Sequence, residues 1–202
     1  VSIEAEVLDP RAASLADKGF DTYSQSGEDG FIAAALERIG VKNRHCFEVG
    51  AADGEFYSNT LLLREFGWSA VLIEADAEQY AKLRRFESPM VRTVHERIGP
   101  DSLNWILRKH GAPADLDFGC IDIDGQDYWC WRYLTDFRPR LMLVEYSPYG
   151  SPDYLCPLGG EGQTGANPLI ALGREKGYLP LLRTRYNLLF CREDEWPETA
   201  AE

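Results

Sequence analysis

The sequence lacks a helical membrane anchor: no apolar run approaches the ~20 residues that a spanning helix needs. Its first residues, Val1 to Asp17, carry Glu4, Glu6, Asp9 and Asp17 and show none of the basic-then-apolar order of a secretion signal. Cysteine is sparse. The five residues, Cys46, Cys120, Cys130, Cys156 and Cys191, form an odd set with no CxxC pair, which argues against a disulfide framework and against structural zinc. Most sit in apolar stretches, as the buried, reduced thiols of a cytoplasmic protein would. Positive charge is short as well. Lys and Arg number 21 against 33 Asp and Glu, for a net charge of −12, and a surface of that sign repels phosphate backbones and anionic lipid. Nucleic acids and membranes are therefore not expected as partners. No internal repeat or low-complexity block is visible.

What the chain does have is the composition of a globular domain, 45% hydrophobic and 27% charged over 202 residues, a length that fits one domain, 1–202. Short apolar runs alternate with amphipathic ones, the pattern of an α/β protein on a mostly parallel sheet. Seven runs read as strands: Cys46–Val49, Ala70–Ile73, Met90–Val94, Phe118–Ile123, Leu141–Glu145, Tyr178–Leu182 and Leu188–Cys191. Helices are expected over Ser26–Ile39, Asn59–Phe66, Asp76–Phe86, Pro100–His110, Gln126–Leu134 and Asn167–Lys176, several of them closed by glycine. Only Arg183–Asn187 separates the last two strands, too little for a crossover helix, so they form an antiparallel hairpin. Residues 1–22 precede the first helix as an extension. The Gly- and Pro-rich stretch 147–166 reads as a long loop, either a lid or an excursion with no task.

The chemistry begins at Cys46-Phe-Glu-Val-Gly-Ala-Ala-Asp-Gly54, a strand running into a two-glycine turn with a helix beyond. Ligands of open α/β sheets bind outside the carboxyl ends of the strands, and Gly50 has no Cβ to keep a ligand off the backbone. The spacing is E-x-G-x-x-x-G, one glycine short of a nicotinamide fingerprint, and Glu48 and Asp53 disfavour a diphosphate at this turn. Carboxylates there suit a ligand that carries an ammonium and no phosphate, as S-adenosylmethionine does. Glu74, 26 residues after Glu48, closes the next apolar run, where an acid can accept hydrogen bonds from both ribose hydroxyls.

These features resemble the class I S-adenosylmethionine-dependent methyltransferases, and more narrowly the FkbM-type family. The segments that carry the resemblance are Ser24-Gln-Ser-Gly-Glu-Asp-Gly30, Phe47 to Gly54, Ser58-Asn-Thr60, Ile121-Asp-Ile-Asp-Gly-Gln-Asp127 and Asn187-Leu-Leu-Phe190, within residues 23 to 192. The resemblance implies a Rossmann-like seven-stranded sheet with helices on both faces. It also implies methyl transfer to a hydroxyl of a small molecule or glycan. It assigns Glu48, Gly50, Asp53 and Gly54 to the methionine and ribose side of the cofactor, Glu74 to the ribose hydroxyls and Ala75 to the adenine wall, with Gln25 and Asn59 completing the site and Asp122 meeting the ammonium. One of His95, Glu96 and Arg97 should flank the adenine. The sequence has Asp122-x-Asp124-Gly-x-Asp127 where that family usually shows Asp-x-Glu-Gly-x-Glu, so its carboxylates are shorter.

Asp122, Asp124 and Asp127 fall within six positions, and Glu145 ends the next strand. Asp122 and Asp124 are expected on one face of a strand. Crowded carboxylates must bind a cation, share a proton or face a cationic ligand. Two mechanisms follow. Either Asp124 removes the acceptor's proton as its oxygen attacks the methyl carbon, or Mg²⁺ held by Asp124, Glu145 and Asp122 lowers the hydroxyl pKa. His95, at a strand end, is a further candidate base. Trp129 and Tyr133 are read as core, Tyr146 and Tyr149 as lining the site. The rival readings are a catalytically inactive cofactor-binding module of a larger assembly and a nicotinamide oxidoreductase. A large acceptor would require the N-terminal segment, the 147–166 loop or a second subunit, which keeps a homo-oligomer open.

Overall fold

A computed structural model describes residues 5–99 and 102–198. Glu4 and Pro100 lie outside them. Among the described residues there are eight strands: β1 (Glu6–Val7), β2 (His45–Val49), β3 (Ser69–Glu74), β4 (Val91–His95), β5 (Phe118–Ile121), β6 (Leu141–Glu145), β7 (Tyr178–Arg183) and β8 (Asn187–Arg192). The helices are α1 (Glu28–Ile39), α2 (Leu61–Glu65), α3 (Ala77–Leu83), α4 (Ser102–Lys109), α5 (Asp127–Tyr133) and α6 (Ala166–Glu175), with short 3₁₀ turns at Pro10–Leu15 and Arg84–Phe86.

All eight strands join one sheet in the order β1-β7-β8-β6-β5-β2-β3-β4. β4, β3, β2, β5 and β6 run parallel; β8 is antiparallel to β6 and forms the expected antiparallel hairpin with β7. The fold is thus α/β with a mostly parallel sheet, but it has one strand more than the seven expected. Glu6–Val7 pairs with Arg183 and Leu182 of β7. Two residues are too short a run for alternation to show, so the sequence pattern is silent there.

The parallel strands read as continuous apolar runs because both faces of the sheet are covered. Along β3, Ala70 and Leu72 face the core under α1, α2 and α3, while Val71 and Ile73 face the core under α4, α5 and α6. Phe31, Ile32, Ala35 and Leu36 give α1 its buried stripe; Leu103, Ile106 and Leu107 do so for α4. Trp131, fully buried, fills the space between α5, Tyr178 and Phe190. Of the two residues expected in the core, Trp129 is half-buried and packs against it, whereas Tyr133, also half-buried, stacks on Trp129 at 6.2 Å and is not part of it. Because α5 starts at Asp127, Trp131 is the residue whose side chain meets the sheet.

Glu28 ties α1 to the hairpin. Its Oε1 accepts from the Thr184 hydroxyl (2.7 Å) and the Asn187 amide (3.1 Å), and its Oε2 from the Ser26 N–H (2.7 Å). Asp29 Oδ2 accepts three consecutive N–H groups, from Thr22, Tyr23 and Ser24, at 2.7–3.0 Å. Glu28 and Asp29 of the Ser24–Gly30 motif are therefore structural fastenings. At the opposite end of the sheet Asp117 and Arg140, both buried, pair at 2.7 Å.

Candidate functional site

β2, β3 and β4 progress one way across the sheet from β2, and β5 and β6 the other. The carboxyl ends of β2 and β5 therefore form the switch point at which open α/β sheets bind ligands. At that place Gly50 N and Ala51 N both donate to the Ile73 carbonyl (2.9 and 3.1 Å), and Asp122 N donates to the Val49 carbonyl (3.0 Å). A Cβ on Gly50 would stand 1.6 Å from the Asp122 carbonyl oxygen, and its φ is +82°. The glycine is thus required first by the neighbouring backbone, before any ligand arrives.

A cavity of ≈ 790 Å³ opens above this junction, within the range of small-molecule and cofactor sites. Of the residues singled out in the sequence, Gln25, Gly50, Glu74, Ala75, Asp122, Asp124 and Glu145 line it, as do Glu96 and Arg97. Glu74 bridges two turns, accepting from Ala52 N–H at 2.8 Å through Oε2 and from Asp76 N–H at 2.6 Å through Oε1. Each carboxylate oxygen has a second acceptor position left. Ile73, Ile98 and Ile123 give the cavity an apolar side.

Five predicted residues do not reach the cavity wall. Glu48 is buried beneath it and is saturated from within, by the hydroxyls of Ser58 (2.8 Å) and Thr60 (2.5 Å) and the Asn59 N–H (2.8 Å). The Asn59 amide points to Cys120 Sγ at 3.7 Å. Asp53 accepts from the N–H groups of Phe56 and Glu55, which hold its carboxyl below the usual carboxylate range. Gly54 packs against Leu83 and Phe86. His95 is exposed, stacked on Tyr80 at 4.7 Å, with Nε2 3.2 Å from the Ala75 carbonyl. The two tyrosines also fall elsewhere. Tyr146 is buried with its hydroxyl on the Thr184 carbonyl, and Tyr149 is 70% exposed.

Phe56 and Tyr57 on the lip and Ala52 were not foreseen, while Gly160 to Gly162 belong to the long loop for which a lid was one of two readings. The backbone holds the one signal that marks some of them. Ala52, Tyr57 and Asp124 have φ of +46°, +56° and +55°, and all three line the cavity. Positive φ at non-glycine residues is costly and concentrates at functional sites. Sequence alone does not expose it.

β5 ends at Ile121, two residues earlier than expected. Asp122 and Asp124 therefore do not share a strand face; the chain leaves the ladder and curls around Asp127. That buried carboxylate accepts from Ile123 N–H and Gly125 N–H, each at 2.9 Å, and burial pushes it up to about 6. Asp124 is exposed. Its N–H donates to Glu145 Oε2 at 3.1 Å, and its Oδ1 accepts from the Gln163 amide at 2.9 Å. Burial, then the charge of Asp127, raises Asp122 to about 7; burial, then the charge of Asp122, raises Glu145 to about 10. The two carboxyls titrate together, each holding its proton to higher pH than a free carboxyl would. Among the described residues no group of three or more His, Cys, Asp or Glu side chains could hold a metal ion, and the donor set lends the Mg²⁺ mechanism no support.

No family model matches the sequence, and no curated protein matches it. Solved structures do. A carbon methyltransferase, CurJ, superposes with a TM-score of 0.56 at 11% identity over 85% of this chain and 56% of its own. A precorrin-6y C5,15-methyltransferase from Geobacter metallireducens superposes with a TM-score of 0.52 at 11% identity over 86% and 92%. The chain shares the Rossmann-like fold of these structures. Within that fold the junction of β2 and β5 and the acid closing β3 are the features around which the cavity is built. Among the described residues no helix is long and apolar enough to cross a membrane.

Proposed function

We propose that the chain is an S-adenosylmethionine-dependent methyltransferase acting on a hydroxyl of a small molecule or glycan, in the manner of the FkbM-type family. The observation that carries the reading is the position of Glu74. It is the acid closing β3, it lines the cavity, and its carboxylate is fixed by two backbone N–H groups. Such an acid, with open acceptor positions, suits ribose hydroxyls and repels phosphate. Glu74 would hold the ribose, Ala75, Ile98 and Ile123 the adenine, and Gly50 with Asp122 the amino-acid end. S-adenosylmethionine would supply an electrophilic methyl on a sulfonium.

The chain's own contribution is to orient the acceptor and take its proton. An alcohol attacks well only as its proton leaves. The Asp122–Glu145 pair is the base in this reading, since a carboxyl raised to about 7 accepts a proton at physiological pH and its partner can share it. Asp124, with one oxygen held by Gln163, positions the loop rather than the acceptor. The exposed Phe56 and Tyr57 rings on the lip suit the flat face of a sugar or aromatic acceptor. Calorimetric titration with S-adenosylmethionine and S-adenosylhomocysteine, with NADH as control, tests the reading. Micromolar binding of the sulfur nucleosides, weakened tenfold or more by Glu74→Ala, is expected (~1.4 kcal/mol per tenfold). Absence of binding by the folded chain sinks it.

A further inference from the structure

The 147–166 segment has no helix or strand before Ala166, yet it is closely fastened. Its base closes on itself. Ser147 N–H donates to the Thr164 carbonyl (2.8 Å), Gly165 N–H to the Tyr154 carbonyl (2.8 Å), and Asn167 N–H to the Pro152 carbonyl (2.9 Å). Cys156, fully buried, adds a bond from its N–H to the Thr164 hydroxyl at 3.2 Å, and its carbonyl accepts from Trp129 Nε1 at 2.8 Å. The tip, residues 157–163, is different. It is mostly exposed, with Leu158 at 49%, so burial does not hold it.

The Gln126 carboxamide makes most of the hydrogen bonds that reach the tip; the Cys156 thiol adds weak contacts to the Pro157 and Glu161 carbonyls, each at 3.6 Å. Gln126 Nε2 donates to the Gly160 carbonyl at 3.0 Å and the Pro157 carbonyl at 3.2 Å, and Gln126 Oε1 accepts from Gly159 N–H at 2.9 Å. Both of its N–H groups and its oxygen are thereby used on one turn of backbone. The Gln163–Asp124 bond holds the far side, and Gly125 lets the Gly162 carbonyl come close, since a Cβ there would stand 3.2 Å from it. Gly160, Glu161 and Gly162 line the cavity, and so does Gln126 itself, from the turn that also carries Asp122 and Asp124.

We infer that Gln126 is a positioning residue whose side chain holds the 157–163 tip in place as one wall of the cavity. The wall and the acidic turn are thus coupled chiefly through the Gln126 side chain, with the Gln163–Asp124 bond as a second link, and release of the tip opens the cavity on that side. The effect on cofactor affinity rests on the function proposed above; the effect on the tip does not.

Gln126→Met keeps the length of the side chain and removes all three bonds; Gln126→Ala removes the stem as well. Hydrogen exchange of the free protein should rise roughly tenfold or more at the tip amides, Gly159 above all, because about three hydrogen bonds are lost. Exchange at Gly165 and in the strands should stay as in the parent. Affinity for S-adenosylhomocysteine should fall roughly tenfold in both variants, since a wall is lost. Unchanged exchange at the tip overturns the inference, and so does a rise spread evenly over the molecule, which would report general destabilisation. A released tip with unchanged affinity overturns the wall. If the parent chain binds no sulfur nucleoside, the functional proposal fails while the exchange arm still decides whether Gln126 holds the tip.

Discussion

Asp122 sits where two demands conflict. Its backbone belongs to the β2–β5 junction, and its carboxyl is forced among other acids. Because burial and Asp127 raise it from 3.8 to about 7, the folded protein keeps a proton that the unfolded chain releases above about pH 4. That contribution to stability is complete below the unfolded value and is lost as pH rises through about 7. Asp122→Asn should therefore raise the melting temperature at pH 8 by a few degrees and much less at pH 5, about 2–4 °C for each kcal/mol of relief, as a thermal scan at both values would show. If the proposed function holds, the same substitution should abolish methyl transfer, and in the parent the rate should climb along a limb centred near pH 7, which a pH–rate profile reads. Much of this was legible residue by residue. Glu74, Asp122 and Glu145 stand at strand ends, and strand ends can be found from apolar runs. Glu48 was not legible as a buried anchor. Its partners Ser58, Asn59 and Thr60 lie ten to twelve residues on, and nothing in the sequence pattern says that this loop folds back beneath it. His95 stands at a strand end too, but its ring turns to Tyr80, a choice made by packing.

At the scale of elements, turns carry the specificity and helices the bulk. Gly50 is the tightest point. Gly50→Ala would drive a methyl into the Asp122 carbonyl at a φ of +82°, and a loss of about 3 kcal/mol or more, measured by urea denaturation, is expected. Glu28 plays the corresponding part at the hairpin. Glu28→Ala leaves the Thr184 hydroxyl, the Asn187 amide and the Ser26 N–H without their acceptor. A loss of about 2–4 kcal/mol in the same measurement is expected, with Glu28→Gln milder. All six helices and seven of the eight strands were readable because their apolar spacing is regular. The acidic turn was not. A strand was expected to continue to Ile123, and the chain instead leaves the sheet at Asp122 because Asp127 offers its carboxylate to the N–H groups of Ile123 and Gly125. A side chain competing with a ladder for backbone hydrogens leaves no periodic trace.

Over the whole molecule, the five thiols test the core. All are free and buried, and burial pushes Cys46, Cys120 and Cys130 well above the ordinary thiol range. A thiol reagent at pH 8 should label none of them quickly in the native protein and all of them after denaturation; fast native labelling would mean that the core opens readily. The alternation of strand and helix made the sheet and its hairpin legible, since each unit announces itself locally. The order in which strands meet, and hence the cavity at the β2–β5 junction, depends on contacts far apart in sequence and came only with the topology.

The fastening of the long loop has a consequence for how the chain could be diversified. Gln126 and Trp129 grip it through main-chain atoms at Cys156, Pro157, Gly159 and Gly160. Its outward side chains, Tyr154, Leu155 and Leu158 among them, are exposed. The socket therefore reads shape and leaves the identity of those side chains free. The segment is an interchangeable cassette: new residues can be written into it, and new molecules tried against the mouth, while the frame beneath keeps its geometry.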